Sequence, residues 1–170
     1  PVDEDLKKQG VSGELWALHG GGFYHPVKFA GAPPKLPEHT HWFYWESYTT
    51  WLSGFALLTV SYLWNAKIYL VDPAHPVMSS HMAIVAALAF LVVFWLLYNA
   101  ICRIFGEKEG GDGTVGALVL VLVCIASYVA CYLFPGQAAF LLIGAMLATS
   151  MSANVFFWIT PGQKKMVASS

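Results

Sequence analysis

The sequence predicts an all-α polytopic membrane protein: a bundle of four transmembrane helices in this stretch, behind an irregular amino-terminal segment. Three observations predict it. Hydrophobic residues make up 57% of the 170 residues and charged residues only 11%, against about 25% charged in an ordinary soluble domain. Four apolar stretches each run about 20 residues or more, the length a helix needs to cross roughly 30 Å of hydrocarbon. Polar runs carrying Pro, Gly and charged residues separate them.

Residues 1–41 are polar and broken by Pro and Gly, too much so for a long regular element. Gly13 to Leu18 contains tolerable helix formers and is expected to make a short helix, stopped by Gly20, Gly21 and Gly22. Pro26 to Pro37, with Pro33-Pro34, reads as an extended surface crossing. The first span is expected over 42–66 and the second over 81–102, with the polar turn from Asp72 to Ser80 between them. After the charged, Gly-rich connector Arg103 to Gly113, a third span occupies 114–134. Pro135-Gly136-Gln137 leaves room only for a tight hairpin, so a fourth span over 137–159 runs antiparallel to the third. Pro161, Gly162, Lys164 and Lys165 mark its exit. The predicted organisation is a segment over 1–41, a four-helix region over 42–165 and a tail over 166–170. The chain opens on P-V-D-E-D-L-K-K, with neither an initiator Met nor a signal-peptide pattern, and is expected to be a piece of a longer protein.

Charge and cysteine usage exclude several classes. A net charge of −1 supplies no basic face to neutralise phosphates, so nucleic acid is not an expected partner. Cys102, Cys124 and Cys131 form no C-x-x-C, so neither a zinc knuckle nor a covalently attached c-type haem is encoded here. Cys124 and Cys131, seven apart on one helix face, read as small buried hydrophobes. Lys28, Lys35, Arg103, Lys108, Lys164 and Lys165 fall on one side of the predicted bundle and Lys67 alone on the other, which makes the first side, and residues 1–41 with it, cytoplasmic. Trp42, Tyr44, Trp45 and Tyr48 fit an aromatic belt on that side, and Tyr62, Trp64 and Tyr69 the opposite belt.

The chemical signal lies between His19 and Glu46. Four of the six histidines, His19, His25, His39 and His41, gather there with Glu46 just inside the first span. Titratable groups beside an oily segment are costly to keep unless they bind or react. His39 precedes Glu46 by seven residues and shares its face if the helix begins at Pro37; His41, two residues on, points about 200° away. One helix therefore cannot place both on one ion, whereas an extended turn can, with His19 or His25 completing a metal or haem site. The alternative is interfacial histidines that hydrogen-bond to backbone. For Glu46 the readings are proton transfer, orientation of a histidine ligand, or snorkelling into water. Gly20, Gly21 and Gly22 read as a flexible turn, or as main-chain donors beside an aromatic wall that includes Tyr24. Glu46, Thr49, Thr50, Ser53 and Gly54 form a polar and small stripe on the first span, and Gly144, Ala148 and Ser152 a small-residue stripe on the fourth. Asn154 needs a partner, most economically on a neighbouring helix; substrate contact is its other reading. His75 and His81 read as surface residues of the opposite side.

Three blocks carry a resemblance: G-E-L-W-A-L-H-G-G-G-F-Y-H from Gly13, L-P-E-H-T-H-W-F-Y-W-E-S-Y-T-T-W-L-S-G-F from Leu36, and A-N-V-F-F-W-I-T-P-G-Q-K-K from Ala153. The chain resembles the amino-terminal transmembrane domain of bacterial membrane-bound urate oxidase, or urate hydroxylase. The resemblance implies a multi-pass inner-membrane enzyme that oxidises urate to 5-hydroxyisourate and passes electrons to a c-type cytochrome domain at its carboxyl end. The cytochrome segment, a span before Pro1 and later spans of that family are not in this stretch. On this reading His19, His25, His39, His41 and Glu46 are the candidate catalytic groups, and Gly20, Gly21, Gly22, Tyr24 and Asn154 shape the substrate site. His39 and His41 are the candidate haem or metal ligands, with haem in the bundle as a candidate relay and c-type haem on the carboxyl-terminal domain. Urate, the lipid bilayer and a cytochrome c domain or protein are the expected partners. The rival class is a non-catalytic membrane module, either a haem-binding electron conduit or a small-molecule transporter.

Overall fold

The computed structural model describes residues 2–31, 33, 43–72, 77–106 and 111–168. The chain divides into two units, Pro1–Trp42 with Met166–Ser170, and Phe43–Lys165.

The amino-terminal unit is built on a β-ribbon where the sequence reads as irregular. Helix α1, Glu4–Lys8, is capped by Asp3, whose side chain accepts from the Asp5 backbone N–H at 2.9 Å. Four short strands follow: β1 Val11–Glu14, β2 Ala17–His19, β3 Gly22–Tyr24 and β4 Val27–Phe29. The inner pair, β2 and β3, is antiparallel with Ala17 opposite Tyr24, Leu18 opposite Phe23 and His19 opposite Gly22. The outer pair, β1 and β4, sets Glu14 opposite Val27 and Gly13 opposite Lys28, with an irregularity before Val11 meets Phe29. The Leu15 N–H donates to the Pro26 carbonyl between the two ladders, which therefore share one register and form one long hairpin.

Its turn explains the glycine triplet. Gly20 at φ 57° and Gly21 at φ 80° are the two central residues of a two-residue loop. Positive φ at both positions is the type I′ geometry whose twist matches the flanking strands, and glycine reaches it without steric cost. The expected helix over 13–18 is thus replaced by strand residues. Helix propensity in Glu14–Leu18 yields to a turn that brings two three-residue strands into register; of the expected extended crossing over 26–37, Val27–Phe29 is a strand of this ribbon, and residues 32 and 34–37 lie outside the described residues.

The second unit is helical. Helix α2, Tyr44–Leu58, runs on through a π-helical turn, Thr59–Leu63, and is followed by the short α3, Ala66–Tyr69. Helix α4 is Ser80–Phe105, begun by Ser79, whose hydroxyl accepts from the Met82 N–H at 3.4 Å. Helices α5, Gly111–Leu133, and α6, Gly136–Asn154, form the expected tight antiparallel hairpin through Phe134 and Pro135. A π-helical turn, Val155–Ile159, then leads into α7, Thr160–Ala168. The fourth helix therefore passes the expected end at residue 159. Pro161 stands in the first turn of α7, where its missing N–H costs least, and the π turn absorbs the change of register.

Among the described residues, three helices are long and apolar enough to cross a membrane: Ser80–Phe105, Gly111–Leu133 and Gly136–Ala168. The helix over 44–63 is not among them, because Glu46, Thr49, Thr50, Ser53, Thr59 and Ser61 dilute its apolar content. Most of those hydroxyls are satisfied within the helix. Thr49 donates to the Trp45 carbonyl at 2.8 Å, Thr50 to Glu46 at 2.7 Å, Ser53 to Thr50 at 3.0 Å and Thr59 to Phe55 at 2.8 Å. Such back-bonding removes most of the polarity a lone hydroxyl would show to lipid.

Helix α6 is the hub, packed on α2, α4 and α5. It contributes Ala138, Leu142, Met146 and Ser150, a buried stripe at four-residue spacing. Against it stand Ala83, Ala87, Leu91 and Phe94 of α4 and Ala126 and Ala130 of α5. The alanines allow close backbone approach, which drives association where no hydrophobic effect operates between helices. Cys124 and Cys131 are exposed rather than buried. The inward face of α5 is set by Ala126 and Ala130, and neither cysteine lies on it.

Candidate functional site

The two rungs where the outer and inner ladders meet carry the polar chemistry of the amino-terminal unit. Glu14, at the end of β1, projects on the same face of the ribbon as Trp16, Leu18, Phe23 and His25, because side chains alternate with a period of two. Its Oε1 accepts from the Asp3 backbone N–H at 2.8 Å, and its Oε2 lies 2.8 Å from His25 Nε2. The imidazole also stacks on the Trp16 indole, with ring centroids 3.9 Å apart and 10° between planes. The Glu14 side chain is 14% exposed and the His25 side chain 28%.

This environment favours the Glu14 carboxylate. The hydrogen bond from His25 and then the bond from the Asp3 N–H hold its pKa below the ordinary carboxylate value, against the smaller opposing effect of burial. An ionised Glu14 accepts only, so His25 Nε2 carries a proton, and in the neutral ring the lone pair then lies on Nδ1. The result is a carboxylate-oriented imidazole beside a flat aromatic surface. It can accept a proton at Nδ1 and spread the resulting charge toward Glu14.

The other expected residues fall as follows. His19 is exposed on β2, opposite Gly22. Ladder parity places it on the opposite face of the ribbon from His25, so the two do not converge on one ion. Tyr24 shares the His19 face, and its ring lies over Gly22, close to where a side chain there would begin. Gly20 and Gly21 form the turn. Glu46 is exposed in the first turn of α2, where the helix dipole favours a carboxylate. Asn154, the last residue of α6, has the cross-helix partner expected of it: its Oδ1 accepts from Trp95 Nε1 on α4 at 3.4 Å. His39 and His41 lie outside the described residues. His81 is exposed at the start of α4.

No three His, Cys, Asp or Glu side chains converge as a metal site among the described residues. The described helical segments contain no histidine except His81 at a helix start, and the candidate ligands His39 and His41 lie outside the described residues.

One feature of the helical unit escaped the sequence. The stripes on α2 and α6 do not close on each other: Thr50, Gly54, Gly144, Ala148 and Ser152 line a groove of about 520 Å³. The helices touch beside it, where Trp51 Nε1 donates to Thr149 Oγ1 at 3.1 Å. Arg103 and Lys164, expected from the sequence on one side of the bundle, each stand against an aromatic ring there. Arg103 stands 4.6 Å from the centre of the Trp158 ring, and Lys164 Nζ 5.5 Å from that of Tyr44. Tyr48 donates to Thr160 at 3.4 Å at the same end.

Glu14 and Trp16 are the residues that sequence reasoning missed. The available signal was Leu-His-Gly-Gly-Gly-Phe, a two-glycine loop between apolar residues, which marks a hairpin and pairs residue 16 with residue 25. Compared with known proteins, residues 2–170 match the family described as urate oxidase N-terminal. No curated protein and no solved structure matches.

Proposed function

The chain belongs to the urate oxidase N-terminal family, and from that premise we propose that it is the membrane part of an oxidoreductase that converts urate to 5-hydroxyisourate. The observation that carries the reading is the 2.8 Å pair between His25 and Glu14. Urate is a planar conjugated anion, and its oxidation balances as urate plus water giving 5-hydroxyisourate, two protons and two electrons. The step forms a C–O bond at the ring from water and needs a base for the released protons. His25 supplies that base at Nδ1, with Glu14 fixing its tautomer and stabilising the imidazolium. Trp16, stacked on His25, extends the aromatic surface on which a flat substrate is oriented. Gly20 to Gly22 and Tyr24 shape the far end of this ribbon, while His19, His39, His41, Glu46 and Asn154 remain candidates from the sequence. A c-type cytochrome would supply the acceptor for the two electrons.

We place the protein in the inner membrane, with the helix over 44–63 as a fourth span. Tyr44, Trp45 and Tyr48 cluster near its start and Tyr62 meets Tyr69 near its end. The two aromatic groups are about 27 Å apart along the helix axis, close to the hydrocarbon thickness. The excess of basic residues, Arg103, Lys164 and Lys165, at the end where α2 begins supports a cytoplasmic location for that end, and we infer the same for residues 1–41.

The test is urate-dependent reduction of the cytochrome by the purified full-length enzyme. Loss of reduction in His25→Ala, with insertion and folding retained, supports the reading. His39→Ala and His41→Ala, measured alongside, decide whether those histidines belong to the site; unchanged rates in both remove them.

A further inference from the structure

The apolar tip of the hairpin has no role in the chemistry above. Leu18 and Phe23 face each other across the last rungs before the turn and are 69% and 81% exposed. On the opposite face Leu15 and Tyr24 are 62% and 54% exposed. Apart from the His19 imidazole on the Leu15 and Tyr24 face, the ribbon end is apolar on both faces, with no Asp, Glu, Lys or Arg between Ala17 and Tyr24. A protein surface covers one face of a ribbon; a fluid lipid layer surrounds both.

A bilayer is within reach by covalent geometry. Fourteen residues separate Phe29 at the end of β4 from Tyr44 at the start of α2, a span of about 50 Å at most. Tyr44 lies under Lys164 at the cationic, aromatic end of the bundle, which has the composition of a membrane–water boundary.

We propose that the hairpin tip, Leu18 and Phe23 with Tyr24, inserts into the headgroup–acyl boundary of the bilayer that the helical unit crosses. The three rungs from Ala17–Tyr24 to His19–Gly22 extend about 10 Å, the depth that interfacial segments reach. The open backbone groups of Gly20 and Gly21 and the imidazole of His19 restrict the tip to the headgroup level, because hydrocarbon cannot satisfy them. Lys28, toward the base of the ribbon, stays in water. Inserted this way, the tip fixes the Glu14–His25–Trp16 face at the membrane surface, but the insertion stands whether or not that face is catalytic.

The test places a nitroxide at Leu18→Cys, Phe23→Cys and, as a water-side reference, Lys28→Cys. The background is the full-length protein with Cys102, Cys124 and Cys131 changed to Ala, in nanodiscs of phosphatidylcholine and phosphatidylglycerol. Positions 18 and 23 are so exposed that the label displaces no packing. Collision with oxygen relative to a water-soluble nickel chelate is expected to be several-fold higher at 18 and 23 than at 28. Equal ratios at all three positions overturn the proposal, as do labels at 18 and 23 immobilised and shielded from both reagents, which means a protein contact. Electron paramagnetic resonance spectra that match between the Cys variants at position 28 with and without Phe23→Ser show that the ribbon folds independently of its tip residues; a fall of the ratio at 18 to the level at 28 in the Phe23→Ser background supports insertion by the pair.

Discussion

His25 Nε2 and Glu14 Oε2 lie 2.8 Å apart, and the other oxygen of the same carboxylate takes the Asp3 backbone N–H. One carboxylate thus ties the start of α1 to the hairpin and sets which imidazole nitrogen carries the proton. The structural and the chemical consequences of this pair separate by variant.

The structural consequence depends on pH. Glu14 has a lowered pKa in the folded unit, so the unfolded chain binds its proton more readily. The stabilisation is fully present above the ordinary carboxylate value and is lost as pH falls through the lowered folded value. Amide exchange of the strand residues, followed from neutral pH into that acid range, is expected to accelerate more in the wild type than in Glu14→Gln, whose side chain does not titrate.

The turn makes a second prediction. Gly20→Ala and Gly21→Ala meet no steric neighbour, yet both force a Cβ into positive φ. Each is expected to destabilise the hairpin by about 1 kcal/mol, read as faster exchange at Leu18 and Phe23. Gly22→Ala, with no positive φ, is expected to cost less.

In the bundle, Trp51→Phe removes the hydrogen bond from α2 to Thr149 on α6. Interhelical bonds of this kind contribute about 0.6 kcal/mol and at most about 1.7. Thermal unfolding in detergent is expected to show a loss within that range, matched by Thr149→Val and not increased in the double variant.

Crowding the hub costs more. Ala138 is fully buried on α6, and Ala138→Leu forces α4 or α5 away, at about 1–3 kcal/mol. Cys131→Leu on the exposed face of α5 is expected to leave unfolding unchanged in the same assay.

The helical part was legible because spans are long. Twenty apolar residues leave one solution in lipid, and a Pro-Gly pair between two such runs forces a hairpin, as α5 and α6 show. Ends were less legible: Pro161 reads as a stop, yet the π turn before it lets the helix continue. The ribbon was hidden because its strands are three or four residues long and each glycine reads first as a breaker. The candidate histidines were visible by type, but Glu14 became relevant only through pairing across eleven residues of sequence. His39 and His41, outside the described residues, stay where the sequence left them.

The central claim is that His25, oriented by Glu14, accepts a proton during urate oxidation. Its most direct measurement is the pH profile of urate-dependent cytochrome reduction by the full-length enzyme, for wild type, Glu14→Gln and His25→Ala. The account predicts a fall in kcat of about 10²- to 10⁴-fold in His25→Ala, and a smaller fall in Glu14→Gln. Rates and profiles equal to wild type in both variants, with the hairpin still folded, contradict it.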